Sequence, residues 1–202
     1  MHPNRTFAWT ERDEMLAFIA EISFCTVFVG RGDDPLVVHV PVVVHGPGRL
    51  RFHIARSNRA AAALEGARAL LSCMGPDAYI SPDWYGTPDQ VPTWNYIAVE
   101  CTGPLRRLDD AELIHQLDAL SAAHEARLAP KEPWTRHKMS AGKFDAMTGA
   151  IIGYELAVED LRGTRKLGQN KKSTEREGAL AGLADAGRAE MAALMAAEFA
   201  SQ

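Results

Sequence analysis

The chain has 202 residues, 47% of them hydrophobic, which is enough to bury one good-sized core, so we expect a single domain. Its net charge of −4 disfavours an extended basic surface for nucleic acid and leaves room only for a local patch. The three cysteines form no CxxC pair, which disfavours a disulfide framework and a thiolate zinc site and favours a reducing compartment. Since the sequence contains neither an apolar stretch of membrane-spanning length nor a secretory signal, we expect a cytoplasmic protein with no membrane partner.

The first half of the chain predicts a helix, an antiparallel meander and a short second helix. Thr10-Glu11-Arg12-Asp13 has the form of a capping box, and the apolar residues after it recur at helical spacing. Runs rich in β-branched residues follow, separated by turns that contain glycine and proline, which is typical of antiparallel strands. The predicted elements are strands at Cys25–Val29, Leu36–His45, Arg49–Ala55 and Ala69–Met74, a turn at Gly30–Pro35, and a helix at 59–65 with Asn58 as its N-cap.

The second half predicts an ordered loop, two further strands and several helices. Gly75–Pro92 is too irregular for a regular element and too aromatic for a disordered linker, so we expect a functional loop. The elements expected after it are a strand at Thr93–Cys101, a bulge or bend at Gly103-Pro104, a helix from Asp109 to Ala129, a short helix at Gly142–Ile152, a last long strand at Tyr154–Leu161 and a helical tail from Ser173 to Phe199 that is broken around Gly182 to Gly187. A sheet of this length avoids bare edges by closing into a barrel.

The first candidate site is the segment His53–Asn58, where a predicted strand ends and a predicted helix begins. Alternation along the strand places His53 on the face opposite the apolar residues, whereas the periodicity does not place Arg56. The Arg56 guanidinium, the Ser57 hydroxyl and the free N–H groups of a helix start suit a phosphate group. An ordinary strand–helix junction with a surface arginine would contain the same residues.

Two segments that combine aromatic rings with hydroxyl and amide groups form the second candidate. They read Tyr79-Ile80-Ser81-Pro82-Asp83-Trp84-Tyr85 and Val91-Pro92-Thr93-Trp94-Asn95-Tyr96. A flat heteroaromatic ligand needs such a stacking surface and a few hydrogen-bond partners. A plain core or a dimer interface would account for the aromatic rings equally well.

The third candidate is a basic segment in an otherwise acidic chain. Between Arg162 and Arg176, six lysines and arginines stand against one acid, Glu175. This segment could meet a phosphate, meet nucleic acid or form a solvated surface. Other motifs fail: the sequence has no HExxH, no GxSxG, no P-loop and no GxGxxG after a strand, and its seven scattered histidines predict no metal site.

Four segments, in this order and spacing, make the chain resemble the PaiB family of FMN-binding negative transcriptional regulators. They are His53–Asn58, Ala78–Tyr85, Val91–Tyr96 and Lys166–Asn170. The resemblance extends from Phe7 to about Leu183. Gly168 departs from the family pattern, in which a serine is expected, so a side-chain hydrogen bond at that position is in doubt.

The resemblance implies an α+β protein, mainly β, built on a six-stranded antiparallel Greek-key split barrel of the pyridoxamine-phosphate-oxidase type. Residues 1–172 would form this FMN-binding domain, and residues 173–202 a helical extension packed on it or on a dimer partner. FMN would lie at the interface of a homodimer. The residues implied to bind it are His53, Arg56, Ser57, Asn58, Ser81, Trp94, Asn95, Lys166, Gln169 and Asn170, of which the last three are expected from the second subunit.

Three functions remain open on the sequence. The first is a regulator that senses redox state or a small molecule through the flavin and acts on DNA or through a regulatory protein. The second is an FMN-dependent oxidoreductase that uses NAD(P)H, although no residue stands out as a catalytic acid or base. The third is a haem-binding split barrel, with His53 or His39 as the axial ligand.

Overall fold

The computed structural model describes residues 1–31 and 34–200. The strands in this part of the chain are β1 (Ala8–Trp9), β2 (Phe24–Arg31), β3 (Asp34–Val44), β4 (Arg49–Ala55), β5 (Arg68–Ile80), β6 (Thr93–Arg107), β7 (Ile151–Ala157) and β8 (Asp160–Lys166). The α-helices are α1 (Arg12–Ile22), α2 (Ala61–Leu64), α3 (Asp110–Ala126), α4 (Lys143–Thr148), α5 (Ser173–Asp185) and α6 (Ala189–Ala200). Short 3-10 helices lie at Arg5–Phe7, Pro82–Tyr85 and Arg136–Lys138. None of the described helices is long and apolar enough to cross a bilayer.

Six of the strands close into a barrel. β2, β3 and β4 form a meander, and β5 returns to pair with β2, with Thr26 opposite Ser72, which is a Greek-key connection. β7 pairs with both β4 and β6, and β6 neighbours β5, so the ring is complete. The six-stranded antiparallel Greek-key barrel and the α+β class predicted from the sequence are therefore confirmed.

The chain divides into two compact units. One comprises residues 1–11, 74–99 and 162 to the C-terminus, and the other comprises residues 12–73 and 100–161. We refer to them as the terminal unit and the barrel unit. The boundary predicted at residues 172 and 173 stays a prediction.

Alternation along the strands fills the interior of the barrel unit. Every second side chain of β3 and β4 is buried, and apolar residues from β2, β5 and β7 complete the core: Val27, Val29, Leu36, Val38, Val40, Leu50, Phe52, Ile54, Leu71, Tyr154 and Leu156. Cys25, Cys73 and Cys101 are buried in the same unit as free thiols. A hydrogen bond with Cys73, together with burial, raises the pKa of Cys25, and burial raises the pKa of Cys101 to about 12. Cys25 and Cys101 therefore stay protonated in the folded state, and burial keeps all three thiols away from solvent.

The outer face of β4 and β7 carries an ion cluster, made of Arg49, Arg51, Arg106, Glu112 and Glu155. Arg51 lies on this outer face but is buried there, because α3 packs over β3, β4 and β7. Its Nε donates to Glu155 Oε2 at 2.7 Å and its Nη2 donates to Glu112 Oε1 at 3.1 Å. Glu112 also closes a capping box with Asp109 at the start of α3. The cluster therefore ties the helix to the barrel wall.

Several element boundaries differ from the sequence expectations. β5 continues six residues past Met74, so the predicted loop Gly75–Pro92 shrinks to residues 81–92. The bend expected at Gly103-Pro104 lies inside β6, where a Cβ on Gly103 would fall 1.8 Å from the Ala157 carbonyl oxygen, so the missing side chain lets the backbones approach. Part of the predicted turn at Gly30–Pro35 lies outside the described residues.

The predicted helix at Gly142–Ile152 and the predicted strand at Tyr154–Leu161 are wrong in their limits. α4 ends at Thr148, and Ile151 already belongs to β7. β7 ends at Ala157, and a new strand, β8, begins at Asp160. A continuous apolar run at Ile151-Ile152 fits either element, because burial on both sides removes the alternation that separates a strand from a helix.

In the terminal unit, α5 packs closely on the loop after β5. A Cβ on Gly178 would lie 2.0 Å from the Trp84 carbonyl oxygen, and a Cβ on Gly182 would lie 2.3 Å from the Trp84 ring. These two glycines allow the helix to reach the loop. The predicted helical tail is broken at Gly187, which adopts a φ of +70° between α5 and α6.

Candidate flavin site

Arg56 lies at the end of β4 and is held by the turn that joins α4 to β7. Its Nε donates to the Gly149 carbonyl at 3.0 Å and its Nη2 donates to the Ile151 carbonyl at 3.1 Å. Its backbone N–H donates to the Ala150 carbonyl at 2.8 Å. These bonds fix the position of an exposed guanidinium before any ligand arrives, which reduces the entropy lost on binding.

Arg56 opens onto a cavity of about 310 Å³ in the barrel unit, which we call the Arg56 cavity. Arg107 at the end of β6 contributes a second guanidinium, and Asp110 and Asp145 contribute two carboxylates. Arg107 was not predicted from the sequence, because only the pairing of β6 with β7 brings the end of β6 to this cavity. Two guanidinium groups at one cavity suit a phosphate, since each can donate charge-assisted hydrogen bonds to it.

Ser57 and Asn58 are exposed and follow Arg56 directly. Asn58 Oδ1 accepts a hydrogen bond from the Ala60 N–H at 2.9 Å. Asn58 thus caps the turn in front of α2, and the helix itself begins two residues later than expected. The Ser57 hydroxyl remains a predicted phosphate ligand.

His53 faces α3 on the outside of the barrel, as the alternation predicts. Its Nδ1 lies 3.2 Å from Gln116 Oε1. Burial lowers the pKa of His53, and the hydrogen bond with Gln116 offsets only part of that effect, so the ring is neutral at physiological pH. His53 is on the side of β4 that carries a second cavity, described below.

The remaining predicted residues belong to the terminal unit, where Trp94 presents the aromatic surface. Trp94 is 53% exposed, and its ring meets the edge of the Tyr79 ring at a centroid distance of 6.2 Å. Asn95, the next residue, points inward and donates from Nδ2 to Met195 Sδ at 3.2 Å. Ser81 Oγ accepts from the Asp83 N–H at 3.4 Å and caps a 3-10 helix. Of these side chains, Trp94 offers an open face to a planar ligand.

Lys166 lies at the end of β8 and donates a hydrogen bond to Thr93 Oγ1. Burial, with the charge of Lys171 as a second cause, lowers the pKa of Lys166. A cation held next to a like charge gains when an anion such as a phosphate binds beside it. A phosphate bound beside Lys166 would offset both of these effects.

Gln169 binds its own loop. Its Oε1 accepts from the Leu167 N–H at 2.8 Å, and its Nε2 donates to the Arg165 carbonyl at 2.6 Å. Gly168 lies between Leu167 and Gln169 and adopts a φ of +84°, a conformation in which a serine would be strained. The backbone conformation therefore explains why residue 168 is a glycine and not the serine expected in the family pattern. Asn170 is exposed at the end of the turn.

Comparison with known proteins explains this combination of residues. Residues 1–160 match the family model described as "Putative FMN-binding domain". The chain belongs to this family. The PaiB-family resemblance found in the sequence is thereby confirmed, and the cofactor of the family, FMN, is the cofactor of this chain.

Individual relatives of this PaiB-family chain agree with that assignment. It is 30% identical over 179 residues to the protease synthase and sporulation protein PAI 2 of Bacillus subtilis, an alignment that covers 87% of this chain and 85% of the relative. Two solved structures share the fold. The FAD and haem binding protein of Mycobacterium smegmatis has a TM-score of 0.61 at 19% identity over 85% of this chain and 79% of its own. The flavocytochrome Anf3 of Azotobacter vinelandii has a TM-score of 0.56 at 17% identity, over 81% and 72%.

The donor set of this PaiB-family chain fits FMN. The barrel unit supplies two guanidinium groups at a cavity, and the terminal unit supplies an open indole face and an ammonium group that gains from a nearby anion. A phosphate with an attached planar ring needs these types of group. The assignment of individual residues to the phosphate, the ribityl chain or the ring stays a prediction.

Proposed function

We propose that the protein is an FMN-binding homodimer that regulates transcription and senses redox state or a small molecule through its flavin. The main support for the flavin site is the Arg56 cavity. There, at the end of a barrel strand, backbone carbonyls hold a guanidinium in place before a ligand binds. Arg56 and Arg107 hold the phosphate, with Ser57 and Asn58 beside it. When bound, FMN supplies reversible electron transfer.

The second half of each flavin site comes from the partner subunit in this proposal. Lys166 of the partner subunit adds a cation to the phosphate, and Trp94 covers the isoalloxazine ring. Two phosphate-binding groups that lie more than a hundred residues apart have a common purpose if an interface unites them. Half of the site is then missing from a monomer.

The regulatory part of the proposal rests on the PAI 2 relative, whose name ties it to protease synthesis and sporulation. Many cations of the basic segment pack within their own unit. Arg165 stacks over the Trp9 ring, Lys171 over the Tyr85 ring and Arg176 over the Phe199 ring, at 5.0, 4.2 and 4.6 Å. Such contacts leave a small basic footprint, which favours action through a protein partner over an extended DNA interface.

The flavin site is tested by titrating FMN into the stripped protein and following the quenching of flavin fluorescence. Arg56→Ala should weaken FMN binding more than tenfold, because a charge-assisted hydrogen bond contributes about 1.5–3 kcal/mol. Arg59→Ala, which removes an exposed cation three residues away, is the matched control and should bind like the wild type. Equal affinities in both variants would overturn the phosphate assignment.

The regulatory role needs a separate measurement. Transcripts from cells that carry and lack the gene should differ, and the difference should disappear with the Arg56→Ala protein. A gel-shift titration with and without FMN then separates direct from indirect action: weak, salt-dependent DNA binding supports direct repression, and none supports a protein partner. If the transcripts are unchanged while NADH or NADPH bleaches the visible flavin band, the protein is an oxidoreductase.

A further inference from the structure

A second cavity of about 320 Å³ lies in the barrel unit between α3, α4 and the segment that joins them. We call it the Trp134 pocket. Two aromatic rings, two methionines and two aliphatic side chains form most of its wall: Trp134, Phe144, Met139, Met147, Leu117 and Ile151. Its size and apolar lining are those of a small-molecule site.

The hydrogen-bonding group of this pocket is His53. Because Gln116 Oε1 can only accept, the 3.2 Å contact places the proton of the neutral ring on Nδ1. His53 Nε2 then carries a lone pair and is the atom that the ring can offer to a ligand. A ligand that meets this atom must donate a hydrogen bond.

Gln116 itself is 1% exposed, and its Nε2 has no hydrogen-bond partner among the described residues. Leaving a buried amide donor unpaired destabilises the folded protein. The same side chain fixes the ring of His53. An unpaired polar group kept next to a cavity indicates that its role is to orient a binding group, since packing alone would be better served by an apolar residue.

The charges at the Trp134 pocket cancel. Asp118 Oδ1 lies 3.2 Å from Arg136 Nε, and the Arg136 guanidinium stacks over the Phe144 ring at 5.3 Å. With His53 neutral, the lining carries no net charge. An anion would have to compete with Asp118 for Arg136, so the pocket is a poor phosphate site. Arg56, in contrast, donates to backbone carbonyls.

We propose that the Trp134 pocket binds a small neutral aromatic molecule that carries one O–H or N–H donor, which it presents to His53 Nε2. The aromatic body lies against Trp134 and Phe144. This ligand is distinct from the flavin, and its pocket adjoins the Arg56 cavity at Thr148 and Ile151, which line both.

The proposal is tested with three naphthalene probes, by calorimetry on the stripped protein and on the FMN-loaded protein. 2-Naphthol carries a donor, 2-methoxynaphthalene has the same rings without a donor, and 2-naphthoate is an anion. We expect 2-naphthol to bind about threefold to tenfold more tightly than 2-methoxynaphthalene, the contribution of one neutral hydrogen bond, and 2-naphthoate to bind most weakly. His53→Phe should remove the preference for 2-naphthol. A preference that survives this change would overturn the role of His53.

Filling the pocket gives the decisive comparison. Ser121→Trp places an indole in the pocket from α3 and should weaken 2-naphthol binding at least tenfold, whereas Ala123→Trp, at an exposed position of the same helix outside the lining, should have no effect. Met147→Trp fills the pocket from α4 and serves if the first variant does not fold. Unchanged affinity in the folded pocket-filling variants, or no binding of 2-naphthol to the stripped or loaded wild type, would refute the proposal. Because the stripped protein is also tested, the binding of 2-naphthol to the Trp134 pocket can be interpreted even if the protein does not bind flavin.

Discussion

At the scale of single residues, Glu155 explains how a polar group can be buried on the outer wall of the barrel. Its side chain is 3% exposed and accepts from Arg49, Arg51 and Arg106. Burial raises its pKa, but the hydrogen bonds from Arg51 and Arg106 outweigh that effect and the pKa is lowered overall. Glu155 is therefore a carboxylate whose charge Arg51 needs in order to remain buried.

Glu155→Gln should destabilise the protein by about 3 kcal/mol, because Arg51 would then be buried without an adjacent negative charge from β7. Urea unfolding followed by circular dichroism measures this change. Glu159→Gln is the matched control: its partner Arg68 is 64% exposed, and loss of this surface pair should cost less than about 1 kcal/mol. Similar costs for the two variants would show that the ion cluster is no stronger than a surface pair.

The same cluster predicts acid sensitivity. A hydrogen bond from Arg106 holds the pKa of Glu112 at about 2, against 4.5 in the absence of perturbation. Since the folded pKa is the lower one, the stabilisation is complete above pH 4.5 and is lost as the pH falls from there towards about 2. The urea midpoint should decline over this interval, and Glu112→Gln should flatten the decline. A parallel decline in the variant would assign the acid sensitivity to other carboxylates.

At the scale of elements, α5 shows how a missing side chain sets a docking distance. Gly178 and Gly182 lie one helical turn apart, and both face Trp84. In an isolated helix these glycines would be unfavourable by about 1 kcal/mol each relative to alanine. Their presence is understandable only from the loop that the helix contacts.

Gly178→Ala should therefore destabilise the terminal unit, although the same change normally stabilises a helix, because the new Cβ would lie 2.0 Å from the backbone oxygen of Trp84. We expect a loss of more than about 2 kcal/mol, in the range of overpacking. Near-ultraviolet circular dichroism and urea unfolding report the change. Ala184→Gly, on the exposed side of α5, is the reference variant. It should lower the free energy of unfolding by about 1 kcal/mol, the difference in helix propensity between alanine and glycine. A gain in stability for Gly178→Ala would contradict the close packing.

Element limits were predictable where alternation or turn residues mark them. The meander of β2, β3 and β4 follows from its β-branched runs and its Gly-Pro-Gly turn, whereas the extension of β5 through Pro76 does not, because proline normally ends a strand. The break between β7 and β8 escaped prediction because the residues that join them, Val158 and Glu159, include neither glycine nor proline. Arg107 and the ion cluster depend on pairing across strands, which local patterns do not contain.

At the scale of the whole molecule, the proposal that two subunits share each flavin site predicts a specific result when variant subunits are mixed. Homodimers of Arg56→Ala and of Lys166→Ala should each bind FMN weakly, because every site lacks one cation. A mixed dimer of the two variants has one site with both defects and one intact site, so it should recover about half of the binding stoichiometry at wild-type affinity. Tandem affinity purification of the mixed dimer followed by FMN titration measures this. No recovery would place Arg56 and Lys166 in the same subunit's site.

The segments that contain the predicted cofactor-binding residues were recognisable in the sequence, whereas the contacts that these side chains make in the structure were not. Arg56 was predicted near a helix start, but the sequence did not indicate where its side chain lies. In the structure, the turn after α4 holds this side chain in place. Gln169 was expected to reach the flavin, yet both ends of its amide bind its own loop. Motifs record which residue types a family uses, whereas the hydrogen-bond partners of a side chain come from segments distant in the sequence.

The three thiols buried inside the barrel allow the rate at which the barrel opens to be measured. Because Cys25, Cys73 and Cys101 are buried, an alkylating reagent can modify them only when the strands part. The rate of mass gain under excess reagent therefore counts opening events without any engineered label. Any ligand that prefers the closed barrel slows this count, so the unmodified protein can be used to screen for its own ligands.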